Sequence, residues 1–313
     1  MKARNFISIY IIIFSLFLVT TIFAQDAKIP IKKPVVTQLG RSADLRQTIL
    51  NYDIKVKDQG NRNTCSVFAV TFLLEYMTAK STNKTGVDFS EEYLNFVTNK
   101  VKGQIDDGDF FENIAAGYRD YGIVNESVLP YKTAFDASYT PPDSMLQSGK
   151  ANRFLKLAMI RGNDGTWGLT DAHIDSMMKS LDAGIPISGG FKVTSDSNLE
   201  LKKFGNITMW YSLKNKEDFG GHSMPIVGYR SSPLIPGGGY FVVRNSGGSG
   251  WGDNGYGYVS LEYARHFIAD VIIANTKSPL SGLILREPML IKRPILPRPS
   301  PEILINSGKV FKF

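Results

Sequence analysis

The sequence predicts an α+β chain of two lobes, and three features predict it. A nearly unbroken apolar run at residues 67–77 follows a glycine-bearing turn and leaves almost no polar face, the pattern of a helix buried within a lobe. Capped helical patterns come next, starting at Ser90 and ending at Tyr121. Strand-like runs then recur at 222–230, 239–244, 255–260 and 267–274. Helices first and strands afterwards are expected to segregate into a helical lobe and a curved antiparallel sheet.

Taken in order, Lys2 and Arg4 precede an apolar stretch at 6–23, and Ala24 offers a small residue at its exit. This reads as a secretory signal peptide over 1–24, with an uncleaved N-terminal anchor as the alternative; export to the periplasm, medium or cell surface is expected. Residues 25–43, with Pro30 and Pro34, read as a leader, and the body is expected over 44–277. Ser90 before Glu91 and Glu92 has the form of a helix N-cap, and Gly122 closes the helix that ends at Tyr121. Pro141-Pro142 and 162–165 mark loops, with a strand expected over 153–160. Residues 170–183 read as a helix stopped at Gly184, with His173 on its solvated face. A strand is expected at 185–193 and a polar, aromatic-containing insertion at 194–219. The tail, 278–313, carries six prolines from Pro279 to Pro301, a density that favours an extended path.

The formal charge of +7 belongs to the ends. Lys2 and Arg4 give residues 1–24 a charge of +2, and residues 277–313 carry +5, which leaves the body neutral. A basic face for nucleic acid is therefore not expected, although the basic tail or the N-terminal segment could tether the chain to a membrane or cell surface. No metal cluster or nucleotide-binding motif occurs, so no cofactor and no metal are expected. A single cysteine, Cys65, excludes a disulfide within the chain.

Cys65 stands where the glycine turn meets the apolar run. A thiol at a helix start feels the positive end of the macrodipole, which favours the nucleophilic thiolate; a small buried hydrophobe is the other reading of the same residue. His222 heads an apolar strand, and Asn245 lies where a strand runs into a glycine-dense turn.

Four blocks occur in order: Asp58-Gln59-Gly60 through Cys65-Ser66; Tyr121-Gly122-Ile123 with Leu129-Pro130-Tyr131; Gly221-His222-Ser223 through Gly228-Tyr229; and Arg244-Asn245-Ser246 through Trp251-Gly252. Together they resemble the papain-like, C1-type cysteine peptidases, of an exported kind without a pro-domain. The resemblance implies a papain-like fold, in which the nucleophile opens the central helix of one lobe and faces an antiparallel, barrel-like second lobe. It implies hydrolysis of peptide bonds in peptide or protein substrates, with Cys65 as nucleophile, His222 as base and acid, and Asn245 as the group that orients His222. Gln59 and the Cys65 backbone N–H would receive the oxyanion. Gly108, Asp109, Gly221 and Ser223 would contact substrate.

Several positions depart from the family pattern. Arg62 replaces a half-cystine, Asn63 and Asp109 replace glycines, Ser66 replaces an aromatic residue, and Gly247 replaces a tryptophan that shields the His–Asn bond; Trp251 is expected to cover part of that gap. These departures favour reduced turnover and leave open a pseudo-peptidase that binds extended peptides. An acyl transferase of the transglutaminase type shares the Cys–His logic but not the flanking patterns. Met289-Leu290-Ile291 or Ile303-Leu304-Ile305 is expected to lie in the cleft in place of a pro-domain.

Overall fold

The computed structural model describes residues 40–193, 199–204, 207–213, 220–276 and 283–291. The expected signal segment, most of the leader, residues 277–282 and the tail beyond Ile291 lie outside the described residues, as do 194–198, 205–206 and 214–219 of the insertion. Among the described residues no helix is long and apolar enough to cross a membrane.

The chain enters through a short strand, β1 (Ser42–Asp44), and a one-and-a-half-turn helix, α1 (Arg46–Asn51). The central helix α2 (Cys65–Thr82) follows, with Cys65 as its first residue and every residue from Ser66 to Ala79 buried. Its apolar character on all sides is what a helix covered on all sides requires. The one charge in its interior, Glu75, is 2% exposed and meets Lys57 Nζ at 2.7 Å. Lys57 also reaches Glu91 at 2.9 Å and the Phe89 carbonyl at 3.0 Å, so the buried carboxylates share a cation instead of lying unpaired.

Helix α3 (Glu91–Lys102) begins as expected: the Ser90 hydroxyl accepts the Tyr93 N–H at 3.0 Å. Helix α4 (Phe111–Tyr121) packs on α3 and stops at Gly122. Helix α5 (Asp143–Ala151) occupies a stretch for which the sequence pattern predicts no element; Pro142 is its N-cap, a place where proline is compatible with a helix start. Strand β2 (Lys156–Arg161) is followed by α6 (Asp171–Asp182), where His173 takes part in capping its own helix: its N–H meets Thr170 Oγ1 at 3.2 Å.

The described residues that follow are mostly sheet. Strands β3 (Ile187–Val193), β4 (Leu199–Phe204), β5 (Ile207–Leu213), β6 (Gly220–Ser231), β7 (Gly239–Arg244), β8 (Tyr256–Ser260) and β9 (Ile268–Asn275) join β1 and β2. A helix, α7 (Leu261–Phe267), separates β8 from β9. The strand order is β2-β9-β3-β6-β7-β8-β5-β4, with β1 added to β6, and every pairing is antiparallel except β5 with β8. The insertion at 194–219 thus holds a hairpin, β4–β5, that extends one end of the sheet.

Helix α2 packs across β6, β9 and β3, so the nucleophile's helix lies directly on the strands that carry the other functional groups. Strand β6 is central, pairing with β3, β7 and β1. At Gly228 a Cβ would come within 2.6 Å of the Ala43 carbonyl oxygen, which explains the glycine where β1 crosses.

Candidate active site

The site is assembled from three elements. Cys65 is the first residue of α2, His222 lies near the start of β6 opposite Phe191 of β3, and Asn245 follows the last residue of β7. Cys65 is partly exposed, whereas His222 and Asn245 are 6% and 3% exposed. His222 Nε2 lies 2.7 Å from Asn245 Oδ1, and the Ser246 backbone N–H donates to the same oxygen at 2.9 Å. A backbone N–H can only donate, which identifies the accepting atom as the amide oxygen. Nε2 must therefore carry a hydrogen, and the second ring nitrogen is left for the thiol.

The His222 side chain is hydrogen-bonded to Cys65. Burial alone would push the thiol pKa up. The bond to His222, its charge, and backbone N–H groups at Ser223 and Ser66 outweigh burial and bring the thiol below its ordinary value. Burial likewise opposes the imidazolium, yet the bonds to Cys65 and Asn245 raise His222 above its ordinary value. Opposite shifts on touching partners favour a thiolate–imidazolium pair.

Gln59 sits on the turn before α2. Its backbone N–H donates to the Ser246 carbonyl at 2.8 Å, and its side-chain oxygen accepts from the Ser246 hydroxyl. Its Nε2 donates one hydrogen to the Arg62 carbonyl at 2.8 Å and has a second available. These contacts join the nucleophile's turn to the residue after Asn245.

Cys65 and His222 line a cleft of about 320 Å³ together with Gly108, Asp109, Gly221 and Ser223. Gly108 has φ +67°, and a Cβ there would lie 2.2 Å from the Asn63 carbonyl oxygen, so the backbone of this loop touches the nucleophile's turn as only glycine allows. The Asp109 carboxylate is held by Lys102 Nζ at 2.6 Å and by the Phe110 N–H at 2.7 Å. Its backbone N–H donates to Ser66 Oγ at 3.1 Å, so the residue that replaces an aromatic holds the two loops together.

The other departures also have structural consequences. Arg62, at 5% exposure, is ion-paired to Glu92 and Asp107 and stacked 4.6 Å from the Tyr131 ring centre. A buried ionic cluster therefore ties down the turn in place of a disulfide. Gly247 forms a bridge with Asp58. The indole of Trp251 lies over Gly257, where a Cβ would be 2.6 Å from it.

Sequence reasoning missed Asp270 and most of the far wall of the cleft, including Phe111 and Trp167. Asp270 is 5% exposed on β9, a position read as strand interior. Of the tail residues expected in the cleft, Ile291 lines it, Met289 is 79% exposed, and 303–305 lie outside the described residues. Burial, with a contribution from Glu112, pushes the Asp270 carboxyl up to about 7, although Arg161 and the Gly190 N–H pull the other way. The unfolded value is about 3.9, so between about pH 4 and 7 the folded state binds the extra proton and stability falls as pH rises. Asp270→Asn is expected to abolish that slope. In urea titrations the variant should gain up to about 4 kcal/mol on the native protein between those limits; parallel curves would rule out the buried acid as its source.

Residues 39–275 match the family described as papain family cysteine protease. The chain is 26% identical over 237 residues to an uncharacterized peptidase C1-like protein of Acanthamoeba polyphaga mimivirus, covering 74% of this chain and 71% of that one. It is 28% identical over 211 residues to pro-cathepsin H of Bos taurus, covering 66% of this chain and 56% of the relative's length. Xylellain, a cysteine protease from Xylella fastidiosa, has a similar fold, with TM-score 0.59, 21% identity and coverage of 80% of this chain and 91% of that one. Digestive procathepsin L 3 of Tenebrio molitor gives TM-score 0.53 at 22% identity, covering 78% and 74%. With a helix-borne cysteine set against a histidine on a strand and an asparagine at a strand end, and a family match over residues 39–275, the chain belongs to the papain family of cysteine proteases.

Proposed function

We propose that this cysteine peptidase hydrolyses peptide bonds through Cys65, His222 and Asn245, with Gln59 assisting. The observation that carries the reading is His222 bonded on one side to the thiol and on the other, at 2.7 Å, to Asn245 Oδ1. The Cys65 thiolate attacks the carbonyl carbon of the scissile bond and forms a C–S bond, while the carbonyl electron pair moves onto oxygen. As the first residue of α2, Cys65 has a backbone N–H without an intrahelical partner, and it meets that oxyanion with the spare hydrogen of Gln59 Nε2. The imidazolium of His222 gives its proton to the leaving amine as the C–N bond breaks. Neutral His222 then takes a proton from water, which attacks the thioester and releases the carboxylic product and the thiolate. Asn245 holds the ring plane throughout and adds no charge.

Extended peptide or protein segments fit as substrates because the cleft is open and lined by Gly108, Asp109, Gly221 and Ser223. The signal-like residues 1–24 support export, and that segment or the basic tail supports a surface tether. A peptide-binding protein with weak turnover is the second reading; it is favoured by the commitment of the Asp109 N–H to Ser66 and by Gly247 in place of a shielding aromatic. Incubating the full chain with a peptide library separates the two. Hydrolysis products that vanish when Cys65 is alkylated support the peptidase, and retention of peptides without products supports binding alone.

A further inference from the structure

The segment 283–291 runs from α6 across the open edge of the sheet and ends in the cleft. The Ile284 N–H meets Ser176 Oγ of α6 at 3.4 Å. Arg286 then pairs with Met159 of β2 through two backbone hydrogen bonds of 2.8 Å each. Since β2 ends the strand order, this bridge covers an edge that has no other strand beside it among the described residues. At the far end, the side chain of Asn113 reads both main-chain groups of Ile291. Its Oδ1 accepts the Ile291 N–H at 2.8 Å, and its Nδ2 donates to the Ile291 carbonyl at 3.2 Å.

Asn113 is itself buried, at 1% exposure, and it donates to Asp109 Oδ1 at 3.1 Å. Asp109 in turn donates its N–H to Ser66, the neighbour of Cys65. Ile291 is thus fixed to the same frame as the nucleophile, at both its donor and its acceptor. Ile291 lines the cavity that holds Cys65 and His222, as do Phe111, Trp167 and Ala269. The segment shapes this cavity and does not fill it: about 320 Å³ stays open and Cys65 remains partly exposed.

We infer that Ile291, held by Asn113, is a specificity-determining wall of the substrate cleft, which narrows one pocket so that slender aliphatic side chains are taken in preference to bulky aromatic ones. The inference rests on the peptidase reading above and concerns which peptides the site selects. An isoleucine held by its backbone cannot slide aside, and its branched Cβ keeps the wall rigid. One or two methylenes in such a pocket are worth roughly 10- to 200-fold in selectivity. Asn113 acts through Ile291 and is a positioning residue.

The test compares the full chain with Ile291→Ala, Ile291→Trp and Asn113→Ala on a peptide library in which each position is varied between leucine and tryptophan. Ile291→Ala is expected to lower the leucine-over-tryptophan ratio of kcat/KM at a single position by about tenfold or more, and Ile291→Trp to raise it. Asn113→Ala should move the ratio in the same direction as Ile291→Ala, which a purely structural asparagine would not do. An unchanged ratio in all three folded variants overturns the inference. So does a rise in rate that is uniform across the library, because that marks a plug and not a wall. Peptide binding to the same variants in a Cys65→Ala background gives a second readout. If that series shows the selectivity shift while no protein hydrolyses peptide, the wall stands and the peptidase reading fails.

Discussion

Cys65→Ala is expected to lower peptide hydrolysis at least about 10⁴-fold with little change in stability, since the thiol's partners are a histidine that Asn245 still holds and a cleft that still admits water. His222→Ala should have a comparable effect, because a thiol without its base is a poor nucleophile at neutral pH. The two losses should not add: the double variant is expected to be no slower than the worse single one, as for residues that act as a unit. Assay by product release under single-turnover conditions checks this. Additive losses would mean that the two side chains act in separate steps and would contradict the pairing described above.

The second large effect is on stability. Arg62→Ala is expected to cost about 3–5 kcal/mol, because it leaves the buried Glu92 and the partly buried Asp107 without their cation. For a body of this size that is a fall of roughly 10 °C or more in the unfolding midpoint. Lysine should restore little, since the fork that meets Asp107 through Nε and Nη2 at 3.0 and 2.7 Å is specific to a guanidinium. Neutralising the stranded acids is the discriminating control: adding Glu92→Gln and Asp107→Asn should recover a large part of the loss. If it recovers none, the destabilisation comes from lost stacking on Tyr131 and not from unpaired charge.

The parts of the fold that were legible in the sequence are those whose pattern is local. Helix α2 is apolar on every side, α3 carries its own N-cap, and β6, β7 and β9 are runs of apolar and β-branched residues between turns. Cys65, His222 and Asn245 were legible because each stands beside a turn in a distinctive block. The hairpin β4–β5 reads as insertion because Lys202 and Lys203 interrupt its apolar pattern. Helix α7 was missed because it is wedged between two strands, with β9 following at Ile268 and no glycine marking its end. Asp270 carries no local signal, and Ile291 is marked only as part of one of two apolar tail clusters expected to reach the cleft. Asp270 looks like one polar residue in an apolar strand, and Ile291 reaches the cleft only because Asn113, 178 residues earlier, holds it there. The role of Arg62 was hidden for the same reason, as its partners come from α3 and from the loop before α4.

The most direct measurement is the rate of Cys65 alkylation as a function of pH in the folded chain and in His222→Ala. The pairing predicts that modification is already rapid below the ordinary thiol pKa of about 8.5, with the first inflection displaced downward from it. In His222→Ala that inflection should move up, since burial is then opposed only by the backbone N–H groups of Ser223 and Ser66. A native profile rising only near pH 8.5, unchanged by loss of the imidazole, would contradict the ion pair and with it the proposed catalysis.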